Sequence, residues 1–218
     1  VTKRQEGARL STSAVVQAAV QLLDADGLDA LSTRAVADRL GVRMNTVLWH
    51  VKTKARMLEL MADAITAEVP LDDLPGKPVD RVREIGRRLR RALLNHRDGA
   101  ALVAGTYPAE PGTLRLAETL IGACAAAGLS DRDAAWTGWT LIYFVLGLTQ
   151  EEQAAPGADE HRLSAAVDPA AYPVLARTLP HLDAGSFGER FEFGLGTILG
   201  RLDRTTVGDS SSAQRDGR

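Results

Sequence analysis

One cysteine, Cys124, stands in 218 residues. No disulfide can close within the chain, and an unpaired thiol fits a reducing compartment, so a cytoplasmic protein is expected. Aromatic residues make up only 5%, and no alternating apolar pattern of strand period occurs. Strands favour aromatic and β-branched side chains, so the expected fold class is all-α. No run of about 18 apolar residues is present, which excludes a membrane-spanning helix. The opening residues Val1-Thr2-Lys3-Arg4-Gln5-Glu6 lack the apolar core of a secretory leader, and none is expected.

Catalytic and metal-binding patterns are missing as well. His161 and His181 are expected in proline-rich loops without ligand spacing, and no phosphate-binding glycine loop occurs. His96 and Asp98 sit close together in a helix-end motif with no nucleophile near them. Cys124, inside Gly-Ala-Cys-Ala-Ala-Ala, has no flanking base or cation to activate it and reads as a small buried filler. No enzyme, cofactor or metal is expected.

What is present is an ordinary globular composition, 45% hydrophobic and 25% charged, enough to bury a core. The net charge of −2 divides unevenly: residues 1–60 carry nine basic and six acidic side chains, and the remainder sums to −5. A basic head on an acidic body suits phosphate contact at one end.

Helix punctuation runs along the whole chain and implies about ten helices. Ser11 caps a first helix that Gly27 closes; Thr33 opens a short one that Gly41 ends; another runs from about Asn45 to Val51. Thr53 caps the next. Pro111 suits a first turn, Ser130-Asp131-Arg132-Asp133 and Ser186-Phe187-Gly188-Glu189 resemble capping boxes, and Asp168-Pro169 reads as a cap with a first-turn proline. These signals divide the chain into a head over 1–68, with 1–9 a flexible basic arm, a linker over 69–78 and a body over 79–204. The Gly-, Ser- and Asp-rich tail from 205 to 218 is expected to be disordered. In the first body helix Val82, Ile85, Leu89 and Leu93 form one stripe. Arg81, Arg87, Arg88 and Arg91 lie off it, as a solvated face or a second basic patch.

The segment from Thr33 to Val51 carries the strongest signal. Two short helices that cross steeply need a small residue at the crossing, supplied by Ala37, and a residue tolerant of positive φ in the turn, supplied by Gly41. Val36, Leu40, Val42, Val47 and Val51 then make a small core. This is helix-turn-helix spacing, in which the second helix enters a major groove; a plain helical hairpin has the same spacing. Arg43, Met44, Asn45, Thr46, Leu48, Trp49 and His50 are left facing outward. Asn and Arg can read adenine and guanine edges, while Met and Leu offer apolar contact to a thymine methyl. Thr33, Arg34, Thr46, His50 and Lys54 are placed for phosphates.

The block Leu31-Ser32-Thr33-Arg34, Leu40-Gly41-Val42 and Thr46 through Lys54 resembles the DNA-binding domain of the tetracycline-repressor family. The likeness continues through His96-Arg97-Asp98-Gly99, Gly105-Thr106-Tyr107-Pro108, Phe144-Val145-Leu146-Gly147 and Glu151-Glu152-Gln153, over roughly residues 10 to 155. The resemblance implies a homodimeric regulator, usually a repressor, that leaves a near-palindromic double-stranded operator when a small-molecule effector enters its body.

Departures from that pattern are specific. Where the branch has Glu-Gln-Pro, this chain has Arg43-Met44-Asn45, and Leu48 replaces a Tyr, so a different operator is expected. The His that coordinates magnesium beside the branch's drug falls at Val103, its Asn and Phe at Ile85 and Leu89, its Arg before Pro at Tyr107 and a linker His at Pro70; Glu151 alone is kept on the metal side. Magnesium–tetracycline is therefore not the expected effector. Leu89, Val103, Tyr107, Leu116, Trp136, Trp139, Tyr143 and Glu151 remain as candidates for a mainly apolar pocket, although Trp136, Trp139 and Tyr143 have the spacing of a packed helix face too. Phe187, Phe191, Leu195, Ile198 and Leu202 form a last stripe, with Gly188, Gly196 and Gly200 permitting close helix approach. Burial within one subunit explains that pattern, and so does the intersubunit bundle that the resemblance implies.

Overall fold

Ser11, Ser32, Thr53 and Ser130 each accept a hydrogen bond from the backbone N–H three residues on, at 3.0–3.2 Å. These bonds satisfy donors that a helix start leaves without partners. They open α1 (Thr12–Asp26), α2 (Thr33–Leu40), α4 (Lys54–Ala67) and α8 (Asp131–Ala154), with α3 (Met44–Val51) between α2 and α4. Pro78 and Pro111 occupy the first turns of α5 (Pro78–Leu94) and α7 (Pro111–Ala126), and α6 (Gly99–Ala104) lies between them. α9 (Pro173–Asp183) and α10 (Phe187–Ser212) complete the order. The computed structural model describes residues 10–106, 108–155, 165–183 and 185–212, with 201–212 as backbone only. Among the described residues there are ten helices and no strand.

Three expectations need correction. Asp168-Pro169 opens a turn and not a helix: Asp168 accepts from the N–H groups of Ala170 (2.9 Å) and Tyr172 (2.8 Å), and the helical proline is Pro173. The last helix continues to Ser212, past the expected boundary at 205. Extending an established helix adds one bond per residue fixed, so a weak local sequence can follow a packed one. His181 lies in the last turn of α9 and not in a loop. The expected arm over 1–9, Tyr107, His161 and the tail beyond 212 fall outside the described residues.

Head and body share one continuous apolar core, running from Val15 and Leu23 through Met61 and Ile65 to Leu89, Leu141 and Leu195. Val82, Ile85, Leu89 and Leu93 of α5 are all buried, and α5 packs against α4, α6, α7, α8 and α10. Of the arginines off that stripe, Arg91 is exposed and Arg87 partly so, as on a solvated face, while Arg81 and Arg88 turn to the connecting segment. Arg88 donates to the carbonyls of Pro70, Asp72 and Asp73, and Arg81 to those of Pro75 and Gly76, so two guanidinium groups strap the connecting segment to α5. Arg87 pairs with Glu192 of α10, and Arg91 with Glu84.

The motif His96-Arg97-Asp98-Gly99 joins body to head. Asp98, at φ +55° in the left-handed region, accepts from the Leu28 N–H at 2.9 Å; Arg97 donates to the Ala25 carbonyl at 3.1 Å. Gly27 (φ +85°) lies where a Cβ would stand 2.9 Å from the Asp98 carboxylate, which explains why the α1 terminus is a glycine. The His96 ring is buried between Asp24 of α1 (3.0 Å) and Glu68 at the end of α4 (3.0 Å), and Gln153 of α8 donates to its carbonyl.

Burial opposes charge on that ring, but the hydrogen bonds to Glu68 and Asp24 outweigh it and raise its pKa above the usual histidine value. A raised folded pKa contributes stability that is complete below the unfolded value of about 6.5 and is lost as pH rises through the folded value. Melting temperature should therefore fall as pH rises above about 6.5, and His96→Gln should flatten that fall. Equal slopes for the two proteins would contradict the bridging role.

Candidate nucleic-acid interface and adjoining cavity

Gly41 ends α2 in the left-handed region at φ +65°, and Val42 N–H returns to the Ala37 carbonyl at 3.0 Å. The reversal brings Val36 and Ala37 of α2 against Val47 and Val51 of α3, all buried. The opposite face of α3 is left to solvent. Arg43, Met44, Asn45, Thr46 and Trp49 are exposed, together with Arg34 in the first turn of α2 and Lys54 at the start of α4. Thr33, Leu48 and His50 are half-buried. Thr33, Arg34, Arg43 to Thr46 and Lys54 thus lie at the N-terminal turns of α2, α3 and α4, where free N–H groups and the helix dipole favour phosphate, while Leu48, Trp49 and His50 lie in the last turn of α3.

Trp49 is 68% exposed, a large apolar surface left in water with its edge against the His50 ring, centroids 4.8 Å apart. Lys52 was not anticipated. It takes φ +64° just past α3, donates to the Trp49 carbonyl at 2.9 Å and lies 5.6 Å from the Trp49 ring centre, adding a cation to this face. A positive φ at a residue other than glycine leaves no local signal in the sequence.

In the body, residues of α5, α6, α7 and α8, with Thr66 of α4, line a partly open cavity of about 640 Å³. Leu89, Val103, Leu116, Trp139 and Tyr143 line it. Trp136 does not: it is 59% exposed beneath the Arg132 guanidinium, near the start of α8. Glu151 is likewise exposed and outside the lining, because it sits one position past the wall. That wall position is Gln150, seven residues after Tyr143, which helical spacing could have revealed. Thr66, Thr106 and Thr113 also line the cavity; Thr66 and Thr113 meet from 47 residues apart, which no local pattern announces. Among the described residues the wall carries no carboxylate or imidazole, and that donor set does not fit a magnesium chelate. Burial pushes the Cys124 thiol up to about 11, as suits a packing residue.

One face of α4 belongs to both places. Arg56, in the first turn, pairs with Glu59 and with Glu110, the residue before α7 (3.0 and 2.6 Å). Asp63 accepts from the Thr113 N–H (2.7 Å) and hydroxyl (3.0 Å), capping α7 from outside, and Thr66 and Thr113 hydroxyls lie 3.1 Å apart. Gly112 permits this approach: a Cβ there would stand 2.8 Å from Ala67 Cβ and from the Asp63 carbonyl. Arg115 closes the junction on the Ala67 carbonyl.

Two family profiles cover most of the chain: "Bacterial regulatory proteins, tetR family" over residues 15–61 and "Tetracyclin repressor-like, C-terminal domain" over residues 73–205. The chain belongs to the TetR family. It is 34% identical over 197 residues to the class A tetracycline repressor from transposon 1721 of Escherichia coli, covering 89% of this chain and 91% of that one. Among solved structures, ActR of Streptomyces coelicolor in complex with actinorhodin is 29% identical with TM-score 0.83, covering 91% and 99% of the two chains. BioQ with its double-stranded DNA operator is 29% identical with TM-score 0.68, covering 89% and 98%. The protein is therefore a TetR-family DNA-binding transcriptional repressor with a ligand-binding C-terminal domain, and not an enzyme.

The α4–α7 junction can be tested inside a single helix. Gly112→Ala should cost about 1–3 kcal/mol in urea unfolding by overpacking. Gly122→Ala, whose Cβ would meet nothing within 4 Å, should be neutral or stabilising by up to about 1 kcal/mol. Similar effects at both positions would show that the approach is not tight.

Proposed function

We propose that this repressor leaves a near-palindromic operator when a small, mainly apolar molecule other than magnesium–tetracycline enters the cavity. The observation that carries this reading is the place of α4, which begins at Lys54 on the nucleic-acid face and contributes Thr66 to the cavity wall. A ligand that pushes on Thr66, Thr113 or Leu114 acts on the junction that holds α4, and a helix moves as a unit. Occupation of the cavity and the angle of the head are then alternatives of one linked equilibrium. ActR binding actinorhodin and BioQ binding an operator support the two halves of this reading in relatives of the same fold.

On the DNA, Arg43, Met44 and Asn45 read base edges with Leu48 and Trp49 packed beside them. Thr33, Arg34, Thr46, His50 and Lys54 fix register on phosphates. Two heads act together through a homodimer formed by the C-terminal helices. Its support is an uncovered apolar surface: Trp136 on α8 and Phe193 on α10 are exposed, Phe193 by 78%. Within the chain the close crossing is made by Gly194 against Phe144, whereas a Cβ on Gly196 or Gly200 would meet nothing. The side chain of Leu202 lies outside the described residues.

Selection from a random duplex pool should return a near-palindrome. On that site Asn45→Ala should cost about 1–3 kcal/mol with little loss on random DNA, while Lys54→Ala should weaken both and lower the salt slope by about one unit. Equal losses on cognate and random DNA for both variants would reject the assignment. Phe193→Glu should convert dimers to monomers in sedimentation velocity; an unchanged dimer would place the interface elsewhere.

A further inference from the structure

His96 lies in the short connection between α5 and α6, and both of its ring nitrogens are committed to the head. Nδ1 stands 3.0 Å from the Asp24 carboxylate in the last turn of α1, and Nε2 stands 3.0 Å from the Glu68 carboxylate that follows α4. A carboxylate only accepts, and a neutral imidazole carries a single N–H, so the imidazolium alone donates to both. When the ring is neutral, one nitrogen turns a lone pair toward a carboxylate and that contact becomes repulsive. The side chain is 10% exposed, so water does little to replace the lost bond.

The other groups around the ring are already engaged. Arg97 and Asp98, in the same connection, turn to the Ala25 carbonyl and the Leu28 N–H. From α8, Gln153 donates to the backbone carbonyl of His96 and not to the ring. The charge on the ring is therefore answered by Asp24 and Glu68. These two residues end the helices that carry the nucleic-acid face, since α2 and α3 pack against α1, and α3 against α4. The bridge thus joins the body to both supports of the head.

We propose that His96 is a positioning residue for operator binding: its proton fixes the angle of the head, so the repressor prefers a two-part operator over a single half-site more strongly in mildly acidic than in alkaline solution. This rests on the reading of the protein as a homodimer on a near-palindrome. Fixed heads meet both half-sites with little further ordering, whereas loosened heads must be ordered on the DNA. A single half-site makes no demand on the angle between heads. Protonation of His50, at the nucleic-acid face, adds a charge that both duplexes feel alike, so the ratio of the two affinities isolates His96.

The test titrates the full-length protein into the selected near-palindrome and into the same duplex with one half-site scrambled, by fluorescence anisotropy at constant ionic strength. Between about pH 6 and about pH 9, spanning the range in which histidine titrates, the full-site to half-site affinity ratio should fall at least about fivefold, the lower end of coupling between linked sites. His96→Gln should make the ratio independent of pH. Glu68→Gln should hold it near its acid value throughout, because the amide N–H donates to the neutral Nε2 while Nδ1–H donates to Asp24, and the bridge then needs no proton. A weakened fold cannot produce that gain. A native ratio that stays constant or rises with pH overturns the proposal, as does a fall that persists in His96→Gln or is undiminished in Glu68→Gln. Equal affinities for the two duplexes already at pH 6 would remove the homodimeric reading, and the proposal with it; a constant preference for the full site would leave that reading standing.

Discussion

The Asp63 carboxylate is the constraint on which the arrangement of head and body turns. It lies on α4, yet its acceptor capacity is directed at Thr113, in the first turn of α7. A helix start presents N–H groups that need partners, and an anion there is favoured by the dipole as well. The bond therefore fixes a helix of the head against a helix of the body, and Gly112 sets how near they come. Arg56 with Glu110 and Arg115 with Ala67 repeat the tie at either end of the contact.

A second fastening, at the far side of α4, uses different chemistry. His96 stands between Asp24 and Glu68 while Asp98 and Arg97 take up the backbone at the end of α1. The Asp63 junction adjoins the cavity wall at Thr66 and Thr113, whereas the His96 bridge depends on a proton. Since both clamp α4, the head is held by two fastenings of different chemistry.

Much of this was legible from residue order. The capping residues, Gly27 and Gly41, the prolines of α5 and α7, and the α5 stripe each act through neighbours within four positions, and the structure places them where local rules require. The exposed face of α3 was legible for the same reason, since the period of α3 separates Val47 and Val51 from Asn45 and Trp49. The failures have another cause. Asp168-Pro169 satisfies a helix-start pattern but makes a turn, and the last helix outruns its own weak propensities. Trp136 shares the face of Tyr143 but lies two turns nearer the start of α8, and Glu151 lies one position off the wall, so where the cavity falls along and around α8 is set by its packing against α5 and α7. Thr66, Thr113 and Asp63 form their cluster through a tertiary contact, and Arg81 and Arg88 find their acceptors on a connecting segment whose path no pattern predicts.

Those two arginines have an effect on the chain's chemical durability. A protease must draw several residues of extended chain into its cleft, and connections rich in proline and small polar residues between two helical parts are the usual places to cut. Here the carbonyls of Pro70, Asp72, Asp73, Pro75 and Gly76 are already held against α5 by guanidinium groups. The stretch that looks most cleavable on paper has little slack to offer, so nicking there requires α5 to let go first.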